Sequence, residues 1–394
     1  MHTHVHKYKF LRIRPLEHFI DWLTVHQDYP EPLPILGDRA CVWFDAVTNE
    51  YLHLTSPSYK HEGSFSTSIQ IKVSGNRLTI SGNPSRIDRQ ENLFGFKTIE
   101  DCILVYNRIL LTYGLPPLTK CTKVWHGTPD KKGKFQTFTD GAVIQEIHIT
   151  SNKSVGHRLE DDYIKGISTL SFRNSIPRLH ANGKTCDWLT KAGKGGRLIY
   201  PSVYNKGFEL RLHSLSKILR KFGADSDEYR YLLQVIEYCE QHGVCRFELK
   251  IKSEFLSREN CRYYGLFDTS IFKTLINDFC ALDGKLQVEA MNIETITSRL
   301  IREGVCSDVR AANVTSLYAI NWMHGHVYDL NKSQTQTHRA RLRKIGIDIA
   351  RPCDHTKFSL VNVVSTQTIF TRTLDVPEWY QLPAANSHLS LVRN

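Results

Sequence analysis

Val244-Cys245-Arg246-Phe247-Glu248-Leu249-Lys250-Ile251 is the stretch that decides the fold class. Apolar and charged residues alternate through it, so an extended strand sets Phe247, Leu249 and Ile251 on one face and Arg246, Glu248 and Lys250 on the other. A helix would scatter both sets around its circumference. Val143 to Thr150 alternates in the same way and carries Glu146 and His148, and a third strand runs from Arg197 to Tyr204. Nearer the N-terminus, Ile69, Ile71 and Val73 alternate with polar residues, Ser74-Gly75-Asn76 supplies a turn, and Leu78 and Ile80 resume the alternation as a hairpin.

Helices punctuate these strands. Thr98 with Asp101 resembles a capping box, followed at helical spacing by Cys102, Ile103, Tyr106, Ile109, Leu110 and Tyr113 until Gly114 and Pro116-Pro117. Leu215, Ile218, Leu219 and Phe222 share one face of a second helix, and Ser226 can cap a third bearing Tyr229, Leu232, Leu233 and Ile236. Residues 119–140 read as a polar, glycine-containing excursion and 180–196 as a loop. Beyond about residue 268 the pattern turns helical. The expected fold is α+β, a twisted antiparallel sheet flanked by helices with a smaller, mostly helical C-terminal region. The expected division is a mobile tail at 1–20, a catalytic part at 21–265 and a helical DNA-binding part at 266–394, with the boundary near 265–290.

The 394 residues carry 51 Lys+Arg against 40 Asp+Glu, a formal charge of +11, which favours a polyanionic partner. No run approaches the roughly 18 apolar residues of a spanning helix, so a membrane protein is not expected. The N-terminus lacks a signal-peptide core. Ten cysteines occur without a Cys-x2-Cys pair, which argues against structural zinc and for reduced thiols in the core. No Gly-x4-Gly-Lys-Ser/Thr loop is present, so no nucleotide-hydrolysing site is expected.

Tyr204 is the candidate nucleophile. A phenol attacking a phosphodiester conserves the bond energy in a phosphotyrosyl ester, so one site can both cut and rejoin a strand. Its ordinary pKa near 10 must be offset, and Lys206, two residues on along a strand, would share its face and could lower it or neutralise the phosphate. Glu146 and His148 on one strand face, with Glu248 on another strand, make a corner for Mg²⁺ or Mn²⁺. Plainer readings fit the same residues: a half-buried strand tyrosine beside a solvated lysine, and a surface glutamate with a hydrogen-bonded histidine. Tyr200 is the reserve nucleophile. His4-Val5-His6, with His2 before it, and His324-Gly325-His326 read as incidental.

Several segments together resemble the gene II/gene X replication initiators of filamentous bacteriophages and related plasmids. They are Ile69-Gln70-Ile71-Lys72 with Asn92-Leu93-Phe94-Gly95, Ile144 to Thr150, Val203 to Leu210, Val244 to Lys252, and Val376-Pro377-Glu378-Trp379-Tyr380. Gly63 to Lys123 looks most like the vibrio-type phage initiators. The resemblance spans about residues 60 to 383. It implies a rolling-circle initiator in the bacterial host cytoplasm that nicks the viral strand at the phage origin through Tyr204, with Lys206 beside it, and later rejoins the displaced strand. It implies that His148 belongs to the metal site and that Glu248 sits in the same catalytic sheet. Coliphage-type members read Arg-Ile-Asp where this chain reads Glu146-Ile147-His148, which inverts a charge at Glu146. Partners implied are double-stranded origin DNA, single-stranded viral DNA, and a host helicase and polymerase. DNA contacts are expected from Arg246 and from a helix capped by Ser333 that carries His338, Arg339, Arg341, Arg343 and Lys344. A non-catalytic origin-binding regulator and a relaxase of conjugative or transposition type are the alternatives.

Overall fold

The computed structural model describes residues 17–38, 41–55, 57–63, 65, 67–129, 133, 135–285, 293–323, 325–353 and 371–385. Its strands are β1 (Phe19–Asp28), β2 (Cys41–Phe44), β3 (Tyr51–Thr55), β4 (Tyr59–Glu62), β5 (Ser68–Ser74), β6 (Arg77–Gly82), β7 (Val124–Pro129), β8 (Phe135–Thr139), β9 (Val143–Ser154), β10 (Ile176–Leu179), β11 (Thr185–Leu189), β12 (Ile199–Asn205), β13 (Val244–Lys252) and β14 (Arg372–Thr373). The helices are α1 (Ile99–Thr112), α2 (Glu160–Ile167), α3 (Lys206–Leu210), α4 (Ser216–Phe222), α5 (Asp227–His242), α6 (Ser253–Arg258), α7 (Ser270–Cys280), α8 (Ile293–Arg302), α9 (Val309–Met323) and α10 (Ser333–Lys344).

Twelve of the strands form one sheet in the order β10-β11-β12-β13-β9-β1-β6-β5-β3-β2, with β4 on β5 and β14 on β9. Its pairings are antiparallel, as expected of the α+β class. β13 lies at its centre between β12 and β9, and its alternation does what the sequence requires. Cys245, Phe247, Leu249 and Ile251 are fully buried in the main core with Ile147 and Ile149 of β9 and Leu23 and Val25 of β1. Helices α1, α2, α6 and α7 supply the facing apolar residues, among them Tyr106, Ile164, Leu256 and Phe279. Tyr106 ties α1 down by donating to the Leu23 carbonyl at 2.6 Å.

Part of the opposite, charged face is covered as well. There α3, α4 and α5 build a second core from Leu210, Ile218, Leu232 and Ile236, closed by Leu93, Leu374 and Tyr380. The caps behave as their sequences demand: Thr98 accepts from the Asp101 amide and Ser226 from the Tyr229 amide. Gly243 ends α5 at φ 60° with Gly156 packed against it, where an added Cβ would meet the Gly156 carbonyl oxygen at 1.9 Å.

Several expectations are corrected. β1 begins at Phe19, inside the stretch assigned to a tail, while residues 1–16 lie outside the described residues. Residues 119–140 contain the two-stranded β7–β8 ribbon, and 180–196 contains β11. α7 packs on the sheet through Phe272, Leu275, Ile276 and Phe279, so it belongs to the part expected to end at 265. A separate core forms from Ile296, Leu300, Ala319, Trp322 and Leu342 of α8, α9 and α10. The chain then returns to the sheet as β14, so 266–394 is not one unit. All ten cysteines are unbonded and eight are buried. Among the described residues, no helix is long and apolar enough to cross a membrane.

Candidate active site on the open face of the sheet

Strand register brings the candidate residues together. Glu248 lies opposite Thr150 on one side and Ser202 on the other, and Arg246 lies between Asn152 and Tyr204. Lys250 pairs with His148 and Lys252 with Glu146. Directly opposed residues in an antiparallel pair point to the same face, so all of these project away from the main core. Trp22 of β1, opposite His148, stacks on its ring at 5.9 Å between centroids.

The side chains form a continuous hydrogen-bonded row. Tyr204 Oη donates to Glu248 Oε2 at 3.3 Å. Glu248 Oε1 lies 3.1 Å from His148 Nδ1, and His148 Nε2 lies 2.7 Å from Glu146 Oε1. Lys252 Nζ closes the row on Glu146, and Lys250 Nζ stands 3.5 Å from Glu248. Tyr204 is half-buried, and Glu146, Lys250 and Lys252 keep part of their side chains in solvent.

Charge is unevenly distributed along it. Burial alone would lower the His148 pKa, but hydrogen bonds to Glu146 and Glu248 carry it above its ordinary value. The same bond to His148 drives Glu146 down to about 2, with Lys252 assisting. Burial opposes ionisation of Glu248, yet His148 keeps its carboxyl below the ordinary range. The Tyr204 phenol is pushed well up by burial and then by the Glu248 carboxylate, while Arg246 pulls it back. The row thus sets His148 between two carboxylates that favour its charged form, with a phenol at its end whose ionisation burial disfavours.

Lys206 corrects the reading that paired it with Tyr204. β12 ends at Asn205, whose side chain caps α3 by accepting from the Phe208 amide, so the strand rule for i and i+2 stops one residue short. Lys206 is buried at the start of α3, donating to Asn92 Oδ1 at 2.8 Å and Glu209 Oε2 at 2.6 Å. Burial, with Arg246 nearby, lowers its own pKa. The cation that favours the Tyr204 phenolate is Arg246.

Arg246 is not available for a DNA contact, because it is wholly buried. It donates to Asn152 Oδ1 at 3.0 Å and to the carbonyls of Asn92 and Leu93 at 2.7 and 2.9 Å, under the Phe19 ring. The basic helix spends part of its charge within the molecule. His338 is buried against Thr315 (2.9 Å) and Tyr318, Asp348 grips Arg339 at 2.6 and 3.0 Å, and Arg343 donates to the Arg173 carbonyl at 2.9 Å. Arg341 is half-buried 3.5 Å from Thr315 Oγ1, which leaves Lys344 as the exposed member of the set. Tyr200, the reserve nucleophile, donates at 2.6 Å to buried Asp187, which Arg178 and His180 also hold; burial and that carboxylate raise its pKa to about 12. His2, His4, His6 and His324 lie outside the described residues. His326 packs edge-on against Tyr328 in the helical unit.

Asp21 was missed by the sequence reading. It stands at a register shift in β1 between Ile20 and Trp22, receives Asn83 and Asn92 at 2.7 and 2.6 Å, and lies 3.8 Å from Arg246. A lone aspartate inside Phe19-Ile20-Asp21-Trp22-Leu23 was the available signal. Bulges re-aim side chains in this way beside functional sites.

The donor chemistry of Glu146, His148 and Glu248 suits a hard divalent cation. Their arrangement does not, because both imidazole nitrogens already face carboxylates and the three stand in a row rather than around a common point. Among the described residues, no three His, Cys, Asp or Glu side chains form a group able to hold an ion.

Residues 300–386 match the family profile for the C-terminal region of the phage gene II replication-associated protein. Over 321 residues the chain is 51% identical to the gene II replication-associated protein of Escherichia phage If1, covering 82% of this chain and 98% of that protein. A solved structure of a rolling circle replication initiator protein from Geobacillus stearothermophilus aligns over 62% of this chain and 78% of its own, at 10% identity and a TM-score of 0.22, a likeness too loose to relate any residue.

Proposed function

Because the chain belongs to the gene II replication-associated protein family of filamentous phages, we propose that it starts rolling-circle replication by cutting the viral strand with Tyr204. The observation that carries this reading is Tyr204 Oη placed 3.3 Å from Glu248, in a row whose other end, Glu146 and Lys252, reaches solvent. Tyr204 Oη attacks the phosphorus at the origin, its proton passing to Glu248. The Tyr–O–P bond forms, the P–O3′ bond breaks, and the departing 3′-oxygen takes the proton from Glu248, which returns to its carboxylate. Arg246, behind the ring, offsets the charge on the phenolic oxygen, and Lys250 is placed to neutralise phosphoryl oxygens. His148 holds Glu248 in orientation from the other side, and Glu146 holds His148. Rejoining is the reverse, with a 3′-hydroxyl attacking the phosphotyrosyl ester.

The freed 3′-hydroxyl would prime a host polymerase, and a host helicase would unwind the duplex. The Mg²⁺ or Mn²⁺ ion expected from the sequence finds no convergent ligand set among the described residues, and no step here passes through one. The test incubates wild type and Tyr204→Phe with supercoiled plasmid bearing the phage origin, followed by mass spectrometry of the peptide left on the cleaved strand. The expected result is loss of nicking in the variant and a nucleotide adduct on Tyr204 in wild type. Undiminished nicking by Tyr204→Phe overturns the assignment.

A further inference from the structure

The β7–β8 ribbon has no role in the core or in the row. Among the described residues it pairs only with itself, forming a sheet separate from the twelve-stranded one. An isolated two-stranded ribbon is marginal in water, so exposing large rings on it brings the fold no stability. Yet aromatic rings occupy both faces. Trp125 and Phe138 are opposed in register and stacked at 6.2 Å with 21° between planes, and His126 meets Phe135 edge-on at 6.2 Å. Trp125 is 48% and Phe135 55% exposed.

Three further observations indicate what these rings meet. The ribbon's root is fixed: Asp140 accepts from the Thr122 and Lys123 amides at 2.8 and 2.9 Å, and Ala142 donates to the Thr119 carbonyl at 2.9 Å. The root leads directly into β9, where Glu146 follows Val143 by three residues, roughly 10 Å along the strand, and each arm extends for roughly 15–20 Å. Residues 120–140 hold five lysines against two aspartates, so the sequence around the rings is cationic. The β2–β3 hairpin also exposes aromatic side chains, Trp43, Phe44 and Tyr51, but its turn carries Asp45 and Glu50. That hairpin would repel a polyanion; the β7–β8 ribbon would attract one.

We propose that the β7–β8 ribbon is a stacking platform for unpaired DNA, on which Trp125 and Phe135 receive bases of the strand that passes the Tyr204 row. It rests on the proposed function for the identity of the polyanion and adds the place where single-stranded DNA is held. Bases in a duplex keep their faces against each other; only an unpaired strand offers them to exposed rings. Rings on both sides of a ribbon, without a groove, suit a sequence-tolerant grip.

The experiment measures fluorescence anisotropy of a labelled oligothymidine and of a labelled hairpin duplex. Proteins are wild type, Trp125→Ala/Phe135→Ala, Trp125→Phe/Phe135→Tyr and Lys123→Gln, each also on a Tyr204→Phe background. The double alanine variant is expected to raise Kd for the oligothymidine about tenfold or more, with a much smaller change for the duplex. The aromatic-for-aromatic variant should bind like wild type, and Lys123→Gln should reduce the slope of log K against log salt by about 0.7. An unchanged Kd in the double alanine variant overturns the proposal, as does an equal loss on duplex or an equal loss in the aromatic-for-aromatic protein. Because binding is read without cleavage, failure of the Tyr204 assignment leaves this result standing, and the reverse also holds.

Discussion

Replacing Arg246 by methionine separates two incompatible roles for one residue. In the structure its guanidinium is wholly buried, gives hydrogen bonds to the Asn152 side chain and the Asn92 and Leu93 carbonyls, and sits 3.8 Å from Asp21. Methionine fills similar volume but donates nothing, so the Asn152, Asn92 and Leu93 oxygens each lose a donor and Asp21 loses its neighbouring cation. Hydrogen bonds to a charged group contribute about 1.5–3 kcal/mol each, and breaking a buried charge pair costs about 3–5 kcal/mol; these overlap rather than add. We expect a loss of about 4 kcal/mol. With a urea m-value of roughly 3 kcal/mol/M, the unfolding midpoint should fall by ~1.3 M, read by far-ultraviolet circular dichroism. Nicking should fall as well, since Arg246 is the cation that favours the Tyr204 phenolate. A DNA contact would behave differently: the midpoint would hold, and the salt slope of DNA binding would drop by about 1. That pair of results would refute the buried placement and restore the contact role.

Other outcomes follow from the same geometry. Glu248→Gln keeps the side chain's shape but cannot take the Tyr204 proton, so nicking should fall about 100-fold or more while origin binding persists; equal loss of binding would make Glu248 structural. Chelation with EDTA tests the row itself: full activity in chelator is the outcome for side chains working alone, whereas loss restored by added Mg²⁺ or Mn²⁺ would show that Glu146, His148 and Glu248 rearrange around a cation. His26 has its pKa lowered to about 4, by burial and then by Arg77, against 6.5 unfolded. Between those values the unfolded chain binds the proton that the folded chain refuses, so stability should fall by up to about 3 kcal/mol as pH drops from 6.5 to 4. His26→Gln should flatten that dependence in urea titrations, and an unaltered curve would remove His26 as its source.

What the sequence made legible was the part governed by a period of two. β13 and β9 alternate cleanly because one face meets the core and the other carries charge, so Glu146, His148 and Glu248 could be placed on one surface before any coordinates. Tyr204 joined them because β12 stays extended through it. Lys206 did not, because Asn205 is also a helix cap, and a cap residue ends the strand whose spacing was being extrapolated. Arg246 obeyed the alternation and still misled. A charged face is open only where nothing covers it, and the Asn92–Leu93 segment, about 150 residues away in sequence, covers that end of β13.

The basic helix shows a related effect at longer range. Its charges read as a DNA-facing stripe, but Asp348, four residues beyond the end of α10, folds back to take Arg339 and approach Arg343. The carbonyl that holds Arg343 belongs to Arg173, far back in the chain. Sequence reports the charge of such a helix but not which charges are already answered within the molecule. The ribbon is the converse case. Its rings were read as part of a polar excursion because Gly127, Pro129 and Gly133 interrupt the pattern, while the structure leaves Trp125 and Phe135 exposed. Positive charge that attracts DNA can thus be diffuse in this chain, whereas a ring able to grip a base must be uncovered, and Trp125 and Phe135 of the ribbon meet that condition.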